Sequence, residues 1–265
     1  MLIDAHAHIG KFVQISMPQD MLVAAMDKYH IDFSLFSNGS GVEVDHDQNP
    51  IPPDLQQSQL SINLEAIEFA RKHPGRLGVL LWAKPSTENC DERFEKLLND
   101  NLDIIHGIKV HPYHSKVCFS NPKVEAYVKL AQRYGIPVVT HTANDNDSSP
   151  QAVYRVALKH PDVNFVMCHM GLATDNLEAI DLISRLPNLY GDTAWVKMEN
   201  CLTAIDKCGI DKILFGTDNP INGLDTYDDD EFYTPYFTKL KTMLTTSEYE
   251  QLMYKNAARL FKLPF

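Results

Sequence analysis

Two histidines near the start of the chain, His6 and His8, carry side chains that can bind a transition metal. The apolar residues Leu2 and Ile3 precede them, so Leu2–His6 is predicted as a short buried strand with the histidines at its far end. Residues two positions apart in a strand point to the same side, so both imidazoles can reach one point in space. Two converging neutral imidazoles suit a divalent transition metal, although one such pair alone is weak evidence.

Further polar residues stand at the ends of other apolar stretches. Lys109 and His111 are two positions apart in one stretch, and His141, His169 and Asp218 each end another. If these stretches are strands of one barrel, their carboxyl ends meet at one rim and the side chains line one cavity. Core filling explains such a set poorly, because buried polar groups are costly unless they are paired. The set therefore predicts a metal site at this rim.

Eight apolar stretches recur along the chain, and most are nearly continuous, as in parallel strands buried on both faces. Helical patterns fill the gaps; for example, Asn121 and Pro122 open a segment that Gly135 closes. Eight strand–helix units in about 250 residues match a (β/α)8 TIM barrel, so we predict a single α/β domain over residues 1–265. A doubly wound open sheet is the alternative, but the glycine-rich turn typical after its first strand is missing. The predicted strands are Leu2–His6, Ile31–Ser37, Leu77–Ala83, Ile105–His111, Ile136–His141, Val163–His169, Leu189–Thr193 and Ile213–Thr217.

The composition limits the classes of partner. The chain has 24 Lys and Arg against 35 Asp and Glu, a net charge of −11 that opposes binding to nucleic acid or anionic lipid. We expect neither a membrane span nor a signal peptide, because long apolar runs and a basic start are missing. The five cysteines are scattered, which favours free thiols in a reducing cytoplasm. We therefore expect a cytoplasmic protein with a small-molecule substrate, and the sequence leaves a homo-oligomer open.

The polar segments, taken in order along the whole chain, resemble the amidohydrolase superfamily of metal-dependent barrels. The resemblance is to its amidohydrolase-2 branch, which includes enzymes like aminocarboxymuconate-semialdehyde decarboxylase. The motifs are specific jointly and weak singly. The matching segments are Asp4–Gly10, Gly107–Pro112, Thr140–His141, Cys168–Gly171, Phe215–Pro220 and the closing Asn256–Phe261.

The resemblance implies a metal centre with four ligands, His6, His8, His141 and Asp218, and a water at an open position. Zinc is the expected ion, as one ion or two, and manganese and iron are alternatives. A metal of this kind lowers the pKa of its bound water. Asp218 would accept the proton of that water as a general base.

Other residues receive conditional roles from the same resemblance. His169 would bind a second metal or polarise an oxygen of the substrate. Lys109 would bridge two ions only if carbamylated, because an unmodified ammonium has no lone pair to offer. Four residues that end or follow predicted strands are candidates for substrate contact, with packing roles equally open: His111, Tyr113, Asn38 and Trp82.

Strand alternation and strand order place a few more side chains. Cys168 alternates with His169, so it is predicted to face the helices as a small apolar residue. Asp192, in the seventh predicted strand, could orient a ligand histidine. Trp195 and His114 follow strands and could also border the cavity. Solvated or capping roles are predicted for four other histidines: His30, His46, His73 and His160.

The leading hypothesis for the reaction is hydrolysis of an amide, lactone or other ester bond in a small molecule by metal-activated water. Non-oxidative decarboxylation of a small carboxylic acid at the same metal centre is the alternative. Relatives with that activity are commonly longer, so the compact chain favours hydrolysis. A nuclease of the TatD type, which usually has a glutamate where Lys109 stands, and a non-catalytic metal-binding barrel are less favoured.

Overall fold

Eight parallel strands form a closed barrel in the computed structural model, which describes residues 1–45 and 47–265. Neighbouring strands follow one another in sequence, and the last returns to the first, because His8 N donates to Asn219 O at 2.8 Å. A further short strand pairs antiparallel with the end of the first. The strands are β1 (Ile3–Phe12), β2 (Ile15–Met17), β3 (Phe33–Asn38), β4 (Leu77–Trp82), β5 (Ile105–Val110), β6 (Val138–Ala143), β7 (Phe165–Leu172), β8 (Leu189–Asp192) and β9 (Ile213–Leu214). The predicted TIM barrel is confirmed.

Helices cover the outside of the barrel, and their ends carry the expected signals. Asn121 accepts a hydrogen bond from Lys123 N, and Gly135 ends the same helix with a left-handed φ of 61°. A π-helical stretch, Gln251–Lys255, joins the last two helices. The helices are α1 (Gln19–Lys28), α2 (Gln59–Arg71), α3 (Glu92–Asn99), α4 (Pro112–Ser115), α5 (Pro122–Tyr134), α6 (Pro150–Lys159), α7 (Leu177–Arg185), α8 (Met198–Cys208), α9 (Thr234–Phe237), α10 (Leu240–Met243), α11 (Thr246–Glu250) and α12 (Asn256–Leu260).

Apolar side chains fill two layers. One lies between the strands and the surrounding helices. The other fills the barrel interior, where Leu35, Val139 and Leu214 pack with residues of the closing helix such as Leu260. This interior plug leaves only the carboxyl-end rim of the barrel for a site.

Two strands interrupt their alternation where polar residues enter the barrel. In β1 the register shifts between Asp4 and Ala7, and in β7 it shifts opposite the end of β6. His169, in the irregular part of β7, has a left-handed φ of 65°. Such irregularities re-aim side chains, and they are common beside active sites.

The eight predicted strands are all present, with small differences at their ends. The largest difference is in β1, which continues to Phe12 because its pairing with β2 extends the sheet. The predicted solvated or capping role of His46 falls outside the described residues. No helix in the described part of the chain is long and apolar enough to cross a bilayer.

Candidate metal centre

Three potential ligand atoms lie in mutual contact at the carboxyl-end rim. The Nε2 atoms of His6 and His8 are 3.1 Å apart, and each lies 2.9 Å from Oδ1 of Asp218. Ligand atoms about 2.1 Å from one metal ion and at right angles to each other are about 3 Å apart. Three buried acceptors at this spacing repel one another unless a cation neutralises them, so this donor set fits a divalent metal.

The far sides of both imidazoles are held by hydrogen bonds. His6 Nδ1 lies 2.9 Å from Asp192 Oδ2, so we assign its proton to Nδ1 and leave Nε2 as the acceptor. His8 Nδ1 lies 3.0 Å from Ser37 Oγ. The other carboxylate oxygen of Asp192 accepts the backbone N–H of His169 at 2.8 Å. Asp192 therefore contacts His6 as its predicted orienting role requires, and it also holds the end of β7.

The carboxylate of Asp218 is fixed from the side opposite the two imidazoles. Trp195 Nε1 donates to Oδ2 of Asp218 at 2.9 Å, which leaves Oδ1 for the cluster. Burial alone would raise the pKa of Asp218, but its contacts with the imidazoles of His6 and His8 hold it well below its usual value. Asp218 is therefore ionised at neutral pH and available as a ligand or a base.

The proposed fourth ligand, His141, lines the same cavity but is not one of the three contacting groups. Its ring stacks on His111, with centroids 4.1 Å apart and planes 13° apart, and it lies 4.8 Å from the His169 ring. Burial, with the neighbouring His169, lowers the pKa of His141 well below its usual value, so the ring is neutral. Metal ligation by His141 stays a prediction.

Lys109 is buried beneath the cluster. Its Nζ lies 2.9 Å from His6 Nε2 and 3.1 Å from Cys168 Sγ. The prediction that Cys168 faces the helices is therefore wrong, because the left-handed backbone at His169 breaks the alternation and lets both neighbours face inward. Carbamylation of Lys109 stays a prediction.

His169 presents one free nitrogen near the cluster. Its Nδ1 lies 3.1 Å from Ala194 O and donates to that carbonyl, so Nε2 carries the lone pair. Burial lowers the pKa of His169 to about 4, and the ring is neutral at pH 7. Its side chain lines the cavity, where it can contact a bound substrate.

A cavity of about 490 Å³ opens above the cluster. This volume is within the range of small-molecule sites. His111 and Tyr113, two of the candidates for substrate contact, line it. His114, on α4 beside them, lines it as well.

The other two candidates for substrate contact, Asn38 and Trp82, make hydrogen bonds that hold the backbone near the rim. Asn38 accepts from Ser40 N at 3.0 Å and caps the short 3₁₀ helix Gly39–Gly41. Trp82 donates to Gly41 O at 3.1 Å and stacks behind His111 at 5.6 Å. Both are buried and neither lines the cavity, so their contact with substrate stays a prediction.

Most of the other residues that line the cavity were missed in the sequence, among them Phe12, Gln48 and Asp145. Phe12 belongs to the unpredicted hairpin of β1 and β2. Gln48 lies in the long connection after β3. Asp145 follows β6 closely enough for its position after a strand end to have marked it.

Solved structures share this fold over almost their whole length. The 5-carboxyvanillate decarboxylase of Novosphingobium aromaticivorans, with bound manganese, has 13% identity and a TM-score of 0.73 over 99% of this chain and 97% of that chain. The 2,6-dihydroxybenzoate decarboxylase of Rhizobium has 18% identity and a TM-score of 0.68 over 100% and 99%. Amidohydrolase 2 of Bifidobacterium longum subsp. infantis has 15% identity and a TM-score of 0.63 over 99% and 98%.

The hydrolase hypothesis is contradicted by this comparison, because the reaction named for the first two similar structures is decarboxylation. The length of the chain, which favoured hydrolysis, does not separate it from those enzymes, since the match extends over 97% of the first. The metal bound in that structure is manganese, and zinc stays a prediction for this chain.

Comparison of the sequence with models of protein families shows the family of this chain. No curated protein matches the chain significantly. A family model described as amidohydrolase, of the amidohydrolase-2 type, matches residues 3–263, which include every residue of the cluster and of the cavity described above. The chain therefore belongs to the amidohydrolase family of enzymes, in the amidohydrolase-2 branch that the polar segments resemble.

Proposed function

We propose that this protein is a metal-dependent, non-oxidative decarboxylase of a small aromatic carboxylic acid. The observation that carries the proposal is the cluster of His6, His8 and Asp218 at the base of a cavity lined by rings. The decarboxylases that share its fold support the type of reaction. Manganese and zinc are both candidates for the ion.

The cavity wall suits a planar ring. His111 and His141 stack face to face, and Phe12 lies against His114 with centroids 5.3 Å apart and planes 31° apart. Tyr113 completes the wall. Flat rings favour stacked or edge-on contact with another ring, so an aromatic acid matches this shape better than a flexible chain does.

Loss of CO2 leaves an electron pair on the ring carbon, and a proton must take the place of the carboxylate there. A bound divalent metal would supply positive charge that polarises oxygen atoms of the substrate. Asp218 is the carboxylate that borders both the cluster and the cavity. We assign it as the proton carrier: it is ionised at rest, takes a proton from the substrate or solvent, and gives it to the carbon.

His169 is assigned to the substrate rather than to a second metal. Its Nδ1 is used by Ala194 O, and its neutral Nε2 can accept a hydrogen bond from a hydroxyl on the ring. His141 stacks on His111 and lines the same cavity, and we assign it to the metal, as the resemblance to the family implies. Lys109 lies below them, with its Nζ 2.9 Å from His6 Nε2.

The test is turnover of a panel of aromatic acids by the protein loaded with manganese or zinc, with product measured by chromatography. We expect at least one hydroxybenzoate or aminobenzoate to lose CO2, and we expect chelation to abolish the reaction. We also expect Asp218→Asn to lose turnover. The matched control is Asp20→Asn, an exposed change on α1, which should keep it. A metal-loaded protein that decarboxylates no acid in the panel would contradict the proposal.

A further inference from the structure

Asp218 and Trp195 both have a backbone conformation that is uncommon outside glycine. The φ of Asp218 is 66° and that of Trp195 is 57°. Their side chains are bonded to each other, since Trp195 Nε1 donates to Asp218 Oδ2 at 2.9 Å. Left-handed backbone is costly for a residue with a Cβ atom, and it persists where the surrounding contacts fix it. The contacts that fix this pair therefore decide where the carboxylate lies.

One buried phenol contacts the backbone at both members of the pair. Tyr233, directly before α9, is fully buried. Its hydroxyl donates to Thr217 O at 2.6 Å and accepts the backbone N–H of Trp195 at 3.1 Å. Its ring lies against the Trp195 ring, with centroids 5.9 Å apart. The hydroxyl of Tyr233 thus joins the segment before Asp218 to the segment that carries Trp195.

The carbonyl of Thr217 belongs to the peptide group that leads into Asp218. The N–H of the same peptide group, on Asp218, donates to His6 O at 2.7 Å. Asp4, on β1, holds the rest of Thr217, because it accepts Thr217 N at 3.1 Å and Thr217 Oγ1 at 2.5 Å. The backbone that enters Asp218 is therefore fixed by β1 on one side and by Tyr233 on the other.

We propose that Tyr233 is a positioning residue for Asp218, which keeps the carboxylate directed at His6 and His8. Without its hydroxyl, Thr217 O and the backbone N–H of Trp195 lose the partner described above, and unpaired buried groups are costly, so the backbone readjusts. The inference rests on the proposed function only for the reaction that Asp218 serves, because the position of the carboxylate is a property of the folded protein.

The first measurement follows the indole N–H of Trp195 by NMR. The chain has only two tryptophans, so proton–nitrogen spectra of protein labelled with nitrogen-15 resolve this signal, and Trp195→Phe assigns it. Tyr233→Phe keeps the ring and removes the hydroxyl. In metal-free protein we expect the Trp195 indole proton of Tyr233→Phe to shift upfield as its hydrogen bond to Asp218 loosens, and the Trp82 signal to stay in place.

The second measurement is zinc affinity, by competition with a chromogenic chelator. We expect Tyr233→Phe to bind zinc roughly 10-fold more weakly, as is typical when a residue that orients a metal ligand is changed. Tyr127→Phe, on α5, is the matched control, because Tyr127 is also fully buried and its hydroxyl donates to Gln59 Oε1 at 2.6 Å. This variant should keep both the Trp195 signal and the zinc affinity of the parent protein.

Circular dichroism checks that the variants fold. If Tyr233→Phe does not, hydrogen exchange of the parent protein tests the same coupling, since coupling between two sites is reciprocal. Zinc bound at Asp218 should then slow exchange of the Trp195 backbone N–H, which Tyr233 accepts. An exchange rate that zinc leaves unchanged would overturn the positioning role.

The outcomes distinguish this inference from the proposed function. If Tyr233→Phe shows both effects but no acid loses CO2, the positioning role stands and the proposed reaction falls. If acids are decarboxylated while Tyr233→Phe binds zinc as the parent protein does, the positioning role alone is overturned. Equal losses of zinc affinity in Tyr233→Phe and Tyr127→Phe would overturn it as well.

Discussion

The base and the outer part of the cavity are built differently. At the base, the side chains lie on or directly after strands, and each of His6, His8 and Asp218 has a second partner in Asp192, Ser37 or Trp195. In the outer part, by which we mean the lining residues on loops and on α4 such as Gln48, His114 and Asp145, the side chains do not lie on strands. A barrel can thus fix the groups that carry the chemistry before any substrate binds. The loops that form the rest of the cavity can vary without disturbing those groups.

This contrast predicts that changes at the base affect turnover and metal affinity, and that changes in the outer part affect the choice of ligand. The largest effect is expected for Asp218→Asn. The amide keeps the shape but neither the charge nor the basicity, so we expect kcat to fall roughly 10³-fold or more with the fold retained. Steady-state kinetics and circular dichroism test this, and a kcat within about threefold of the parent protein would refute the assigned role.

A smaller effect, on metal affinity, is expected for Asp192, which contacts the proposed metal ligand His6. Asp192→Asn weakens the hydrogen bond that orients His6, and changes to such partners typically lower metal affinity about 10- to 100-fold. Competition with a chromogenic chelator measures the affinity. Asp211→Asn, in the short 3₁₀ helix before β9, is the charge-matched control. Equal metal affinity in the two variants would show that Asp192 has no orienting role.

The neutral imidazole of His114 predicts a pH dependence of stability. Its pKa is about 4 in the folded protein because of burial, against about 6.5 when exposed, so the unfolded chain binds the extra proton first. Stability therefore falls as pH drops from about 6.5 toward 4, and this one residue accounts for about 2 kcal/mol between pH 7 and pH 5. Urea unfolding of metal-free protein tests it. His114→Gln should show a shallower loss, and a parallel loss would contradict the shifted pKa.

The smallest effect is expected for Trp195→Phe. The ring is retained, but the hydrogen bond from Nε1 to Asp218 Oδ2 is lost, so the carboxylate is less restrained. We expect kcat to fall about 10-fold with KM nearly constant. A change in KM alone would place Trp195 with the outer part of the cavity instead.

The same contrast explains what could be predicted from the sequence. His6, His8 and Asp218 could be placed together because parallel strands bring their carboxyl ends to one rim. Cys168 could not be placed, since a left-handed residue in β7 reverses the simple alternation. Asn38 and Trp82 also end strands, but Asn38 accepts from Ser40 N in the loop that follows it, and Trp82 Nε1 donates to Gly41 O in the connection after β3.

The outer part of the cavity was less predictable for a physical reason. Gln48 and Asp145 lie in irregular connections, where no periodic pattern relates sequence position to direction. Their positions depend on the packing of several loops at once. Such features become visible only in three dimensions.

We propose that the cluster of His6, His8 and Asp218 holds a metal that supports decarboxylation. The most direct test follows an aromatic acid labelled with carbon-13 in its carboxyl group by NMR, with metal-loaded and metal-stripped protein side by side. We expect labelled CO2 and bicarbonate to form only with the metal-loaded protein, and we expect His8→Ala to behave like the stripped protein. Label that stays in the acid, or that is released equally without metal, would contradict it.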